Sequence, residues 1–147
     1  MTTKFTKTLV AALAAAVIAV TAAPAMANDV FVNQFGFGNS AGGNQMGWNN
    51  TFGVHQTGNG NTGIGHQNGG NNVGAIGQQG NGNYGDTWQQ GWNNAAGVGQ
   101  FGNNHSAVLT QNGNGNVAAG VQVGNNCNAN VTQAGTGNVT AFVQACP

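Results

Sequence analysis

A Gln returns every eleven residues along this chain, at Gln34, Gln45, Gln56, Gln67, Gln78, Gln89, Gln100, Gln111, Gln122, Gln133 and Gln144, without one slip. So long a period constrains the fold more than any local propensity, because it makes the repeat the unit of structure. Two further columns keep the same time. A Gly stands two residues after ten of these Gln, at Gly36, Gly47, Gly58, Gly69, Gly80, Gly91, Gly102, Gly113, Gly124 and Gly135. Six residues before each Gln stands an Asn, at Asn28, Asn39, Asn50, Asn61, Asn72, Asn83, Asn94, Asn116 and Asn138, with His105 and Cys127 in the two remaining slots. General richness in Gly and Asn does not hold three columns in phase, so compositional disorder is set aside.

Helix is excluded by the Gly frequency, each Gly costing about 1 kcal/mol against Ala in a helix interior, and by the lack of any 3.6-residue apolar face. Read with period two, each unit becomes a strand of seven residues and a link of four, and the Asn, the third, the fifth and the Gln residues point the same way. Asn50, Phe52, Val54 and Gln56 are one such inward set, with polar amides at both ends and apolar groups between. The links are rich in Gly and Asn, the residues that tolerate positive φ. A meander of hairpins would leave the columns unexplained. Coiling two strands per rung explains them, since residues 22 apart then stack in parallel register and their amides hydrogen-bond along the stack. The expected fold is all-β, a β-solenoid of eleven short strands in two parallel in-register sheets packed face to face, two strands per rung and amyloid-like. Large and small residues should match across the thin core: Phe52 and Val54 against Ala41, Gly43, Gly63 and Gly65, and Leu109 against Ala118 and Gly120.

The first residues form a separate object. Lys4 and Lys7 precede an apolar run from Leu9 to Val20, and Ala25-Met26-Ala27 offers small residues at a cleavage site, so residues 1–27 read as a secretory signal peptide and 28–147 as the repeat domain. Twelve apolar residues fall short of the ~20 needed to span a bilayer. Beyond the leader, Asp29 and Asp86 are the formally charged side chains, a surface without the basic footprint that nucleic acid or anionic lipid would need. So low a charge favours self-association. With the pattern starting at Asn28 and ending at Gln144, the reading expects uncapped terminal rungs and end-to-end growth.

At this point the chain resembles the curlin family, the secreted subunits of bacterial curli amyloid fibres. Gln34-Phe35-Gly36-Phe37-Gly38-Asn39-Ser40-Ala41 running on to Gln45, and Gln111-Asn112-Gly113-Asn114-Gly115-Asn116-Val117-Ala118 running on to Gln122, follow that family's repeat closely. The resemblance implies a homopolymer built head to tail on the bacterial surface, serving biofilm matrix and adhesion. It also implies a related nucleating subunit and an outer-membrane secretion pore as partners. The long segment that precedes the first repeat in family members has no counterpart in the pattern, and the two cysteines stand outside the repeat motif.

Catalysis has little to work with: no nucleophile, base and orienter, and no carboxylate pair, can be placed together, so the reading is not an enzyme and names no cofactor. His55 and His66 project outward on opposite sheets, which leaves no metal site. Cys127 and Cys146, in a secreted chain, are expected to pair at one corner of the last half rung, the alternative being two buried thiols. The Gln and Asn columns are the expected core and polymerisation ladders, and the Gly column the turns. A nucleator or surface anchor is the second reading, suggested by His105 and Cys127 interrupting the Asn column. An ice-binding solenoid would need an outward array of Thr pairs, and positions such as Thr51, His55, Ala75, Trp88 and Val108 do not supply one.

Overall fold

The computed structural model describes residues 27–147; the leader expected over 1–27 lies outside them but for Ala27. Eleven strands follow one another: β1 (Asp29–Phe35), β2 (Ser40–Trp48), β3 (Thr51–Thr57), β4 (Thr62–Gly70), β5 (Val73–Gln79), β6 (Tyr84–Trp92), β7 (Ala95–Asn103), β8 (Ser106–Asn114), β9 (Val117–Asn125), β10 (Asn128–Thr136) and β11 (Val139–Cys146). Odd strands form a six-stranded sheet in the order β1-β3-β5-β7-β9-β11, and even strands form a five-stranded sheet from β2 to β10. We call them the odd and even sheets. Neighbours within a sheet are parallel and offset by 22 residues, so that Gln34 lies opposite Gln56 and Gln45 opposite Gln67. The chain is therefore the two-strand-per-rung β-solenoid that the eleven-residue period predicts.

The links differ from the expected four residues. Most strands run through the Gly column and end beyond it, leaving pairs such as Asn49-Asn50 or Asn104-His105 outside the ladder. Trp48 and Trp92, which a seven-residue strand and four-residue link would place in links, close β2 and β6. The reason is that the backbone turns in two steps. At Gly58 φ is 117°, and a Cβ there would run into the carbonyl of Gly80 one rung away. Two residues further on, a second residue adopts the left-handed region, for example Asn104 at φ 57°. Only Gly or Asn fills this second position, which both tolerate at small cost.

The core is a strip one side chain thick. Phe52, Val54 and Ile76 form one cluster and Ala96, Val98, Ala107, Leu109 and Ala118 another. Size matching works as expected at Phe52, whose ring fills the place where Gly65 would carry a Cβ. It works differently at Gly120: that space is taken by Phe142, its in-register neighbour one rung on, and not by Leu109. A Gly accommodates the ring stacked directly on it as readily as one reaching across from the other sheet.

Candidate assembly site

From Gln45 to Gln122 every inward Gln makes the same two donations. In the odd sheet, Gln34 Nε2 donates to Gln56 Oε1 at 2.7 Å, Gln56 to Gln78 and Gln78 to Gln100 at 2.8 Å, and Gln100 to Gln122 and Gln122 to Gln144 at 2.9 Å. In the even sheet the run Gln45, Gln67, Gln89, Gln111, Gln133 is closed by bonds of 2.7 to 3.1 Å. The second amide proton crosses to the other sheet, as from Gln56 to Ser40 O at 2.9 Å and from Gln78 to Thr62 O at 2.9 Å. Each Gln thus fastens its own stack and clasps the two sheets together. From Gln56 to Gln122 these side chains are fully buried. Burial of an amide is tolerable only because both protons and the oxygen are satisfied.

The Asn column serves the corners. Asn72 accepts at Oδ1 from the backbone N–H of Asn94 at 3.0 Å, and its Nδ2 donates to Gly91 O at 2.9 Å. The same pair of contacts recurs at Asn61 and Asn94. Asn28 and Asn39 begin the two columns, accepting from the backbone N–H of Asn50 and Asn61 at 3.0 Å. At the far end Asn138 donates to Asn116 Oδ1 at 2.9 Å. Asn83 bonds the backbone N–H of His105 at 3.0 Å, and His105 continues the line by accepting from Cys127 N–H at Nδ1, 3.2 Å. An imidazole nitrogen here does the work of an amide oxygen. Cys127 is joined to Cys146, with Cα atoms 5.6 Å apart.

The Gly column lies between these ladders. Gly36, Gly58 and Gly80 sit in links, whereas Gly47, Gly69, Gly91, Gly102, Gly113, Gly124 and Gly135 fall inside strands, and all ten have positive φ. Sequence reasoning missed the second left-handed column, Gly38, Asn49, Gly60, Asn71, Gly82, Asn93, Asn104, Gly115, Asn126 and Gly137, although its invariable Gly-or-Asn choice was readable. It also missed an exposed corner ladder. Asn59 Nδ2 donates to Asn81 Oδ1, Asn81 to Asn103 and Asn103 to Asn125, each at 3.1 Å.

The two ends differ from the middle. Val30 and Val32, inward by parity, are 59% and 50% exposed because nothing stacks beneath β1 among the described residues. Gln45 Oε1 is buried and accepts no hydrogen bond. At the other end Gln144 Nε2 donates to Asn128 O at 3.0 Å but has no further Gln to meet. The outward histidines remain apart: His55 lies near Phe35, ring centroids 6.1 Å apart, and His66 near Trp88 at 4.8 Å. Among the described residues no three His, Cys, Asp or Glu side chains converge.

Residues 80–113 and 106–135 match the curlin associated repeat. No curated protein matches the chain.

Proposed function

From a chain that belongs to the curlin family of curli-type amyloid subunits, we propose the structural subunit of an extracellular fibre that grows end to end, secreted after loss of residues 1–27 and contributing to biofilm matrix and surface adhesion. The single observation that carries the reading is the state of the ladders at their ends. Gln45 Oε1 is buried with no donor, and the edges of β1, β2, β10 and β11 offer backbone groups that another copy of the same solenoid would satisfy. Stacking is also the one association in which both Gln columns continue into Gln of the next copy. A related nucleating subunit and an outer-membrane secretion pore are the partners this reading calls for. Nothing in the reading requires a catalytic step.

The test is assembly of the secreted chain, followed by thioflavin fluorescence and fibre diffraction, with and without sheared fibres as seeds. Fibres with the ~4.8 Å strand reflection running along the fibre axis are expected. A chain that stays monomeric under seeding, with no such reflection, would refute the proposal. A nucleator is the second reading, favoured by Cys127, which offers no amide oxygen to continue the column that reaches it through Asn83 and His105. It would seed another curlin subunit more efficiently than it extends its own fibres.

A further inference from the structure

We infer that successive copies stack head to tail with about half a turn of rotation around the fibre axis, so that β1 of the incoming copy extends the sheet ending in β10 and its β2 extends the sheet ending in β11. This rests on the fibre reading above and adds the symmetry of the junction. The first support is the strand count. The described chain has six odd strands and five even ones, so the solenoid ends half a rung out of balance. An unrotated copy would lay its β1 on β11 and leave its β2 two strand spacings above β10, a slot one strand wide lined by unpaired backbone groups. Rotation by half a turn puts β1 into that slot, running parallel to β10, and continues both sheets without a break.

The second support is the direction of the amide ladders. Every Gln from Gln34 to Gln122 donates from Nε2 to its higher-numbered stacked neighbour, so the β1/β2 end presents oxygens and the β10/β11 end presents N–H groups. Head-to-head stacking would set oxygen against oxygen. In the half-turn junction Gln144 meets Gln45 of the next copy, supplying the donor that Gln45 Oε1 lacks. Gln133 meets Gln34, which takes over the proton now shared with Thr140 Oγ1 at 3.0 Å. The unrotated junction brings Gln144 under Gln34 and leaves Gln45 Oε1 unsatisfied.

The third support is shape. Phe142 stands two residues before Gln144, and Gly43 two residues before Gln45. Half-turn stacking therefore sets the Phe142 ring beneath Gly43, at a cleft of about 240 Å³ lined by Val30, Val32, Ala41, Gly43, Phe52 and Gly65. Within the molecule the same ring already covers Gly120. Without rotation Phe142 would lie under Val32, a branched side chain on a ring with no glycine to make room.

Paired substitutions in the full chain test this, using outward residues so that the core is undisturbed. Register places Asn33 of one copy beside Thr132 of its neighbour in the half-turn junction, and beside Val143 in the unrotated one. Neighbouring in-register strands lie ~4.8 Å apart, within the ~4.4–6.8 Å Cα span of a disulfide. Fibres of the Asn33→Cys, Thr132→Cys variant should give intermolecular disulfide ladders on mild oxidation, and fibres of Asn33→Cys, Val143→Cys should not. Cross-linking of the second pair, or of neither pair in well-formed fibres, would overturn the inference. Helical reconstruction of unsubstituted fibres decides the matter if the variants assemble poorly: half a turn per subunit over a rise of ~26 Å, five and a half rungs at ~4.8 Å each, is expected, and a subunit repeat without rotation rejects it. Absence of fibres from the unsubstituted chain would instead refute the fibre reading itself.

Discussion

The two sheets are alike inside and unlike outside. Inward, both carry a Gln ladder with bonds between 2.7 and 3.1 Å, and both are clasped by the same kind of amide-to-carbonyl bond. Outward, the odd sheet from β5 onward shows small and apolar side chains: Val73 and Ala75, then Ala95 and Gly97, then Val117, Ala119 and Val121, then Val139, Ala141 and Val143. The even sheet shows Tyr84, Asp86, Trp88 and Gln90 on β6, Ser106, Val108, Thr110 and Asn112 on β8, and Asn128, Asn130 and Thr132 on β10, a mostly polar and aromatic face. The lesson concerns periods. Closing a thin core imposes the eleven-residue period on both sheets, because every buried amide needs its stacked partner. An outward residue has no buried amide to keep paired, so each face is free to take its own character.

The largest effect expected is one that treats the sheets equally. Gln78→Leu in the odd sheet removes one acceptor from Gln56 Nε2, the Gln donor from Gln100 Oε1 and one donor from Thr62 O. Gln89→Leu in the even sheet does the same to Gln67 Nε2, Gln111 Oε1 and Val73 O. At about 1–3 kcal/mol for each buried group left unpaired, here one Gln amide proton and one Gln oxygen per variant, both should lose about 2–6 kcal/mol, read as the denaturant needed to dissolve fibres. A difference of several kcal/mol between the two variants would break the claim of equivalent interiors. Next comes the core. Leu109→Ala should cost about 2–5 kcal/mol, since that side chain is completely buried. Val121→Ala on the odd sheet's outer face should stay within ~0.5 kcal/mol by the same measurement; a comparable loss there would mean the face is covered in the fibre.

A smaller effect separates the outer faces. An apolar dye such as anilinonaphthalene sulfonate should bind fibres through the odd sheet's exterior, so Ala119→Lys with Val121→Lys should roughly halve its fluorescence. Thr110→Lys with Asn130→Lys on the even sheet should leave it unchanged. Equal loss from both pairs would show that dye binding ignores the contrast between faces.

Sequence carried the fold unusually far because its strongest signal, a side chain at fixed spacing, is also the fold's main constraint. Gln34 to Gln144 fixed register, strand count and rung size together, and the pairing of Asp29 with Thr51 through Cys146 with Gly124 follows from that spacing alone. What stayed hidden depends on geometry between rungs. The covering of Gly120 by Phe142 needs the stacked neighbour to be chosen over the facing one, and both are compatible with the pattern. Gly70 gives a second case: its missing Cβ leaves room for Trp92 to reach Trp48 two rungs away, ring centroids 5.1 Å apart, a contact no eleven-residue reading contains. The odd sheet's apolar exterior is written at period 22, a weaker signal than the inward columns at period eleven.

The least effect belongs to one phenol on the even sheet's outer face. Partial burial, then the Asp86 carboxylate beside it, then the hydrogen bond that Tyr84 Oη donates to Asp86 Oδ2 at 3.3 Å, raise the Tyr84 phenol above its ordinary value of 10.0. All three disfavour the phenolate, the first by withholding water and the others by repulsion and by holding the proton. A group whose folded value is raised contributes stability that is complete below its unfolded value and is lost as pH climbs through the folded one. Fibres should therefore weaken slightly above pH ~10, as the unfolded chain ionises first. Tyr84 is the chain's single tyrosine, so phenolate absorbance reports it alone. Asp86→Asn removes the carboxylate's contribution but not burial, and the titration midpoint should move down toward the ordinary value without reaching it. A midpoint unchanged by the substitution would leave burial as the whole cause and would remove Asp86 from any account of what makes the even sheet's exterior polar in its behaviour as well as in its composition.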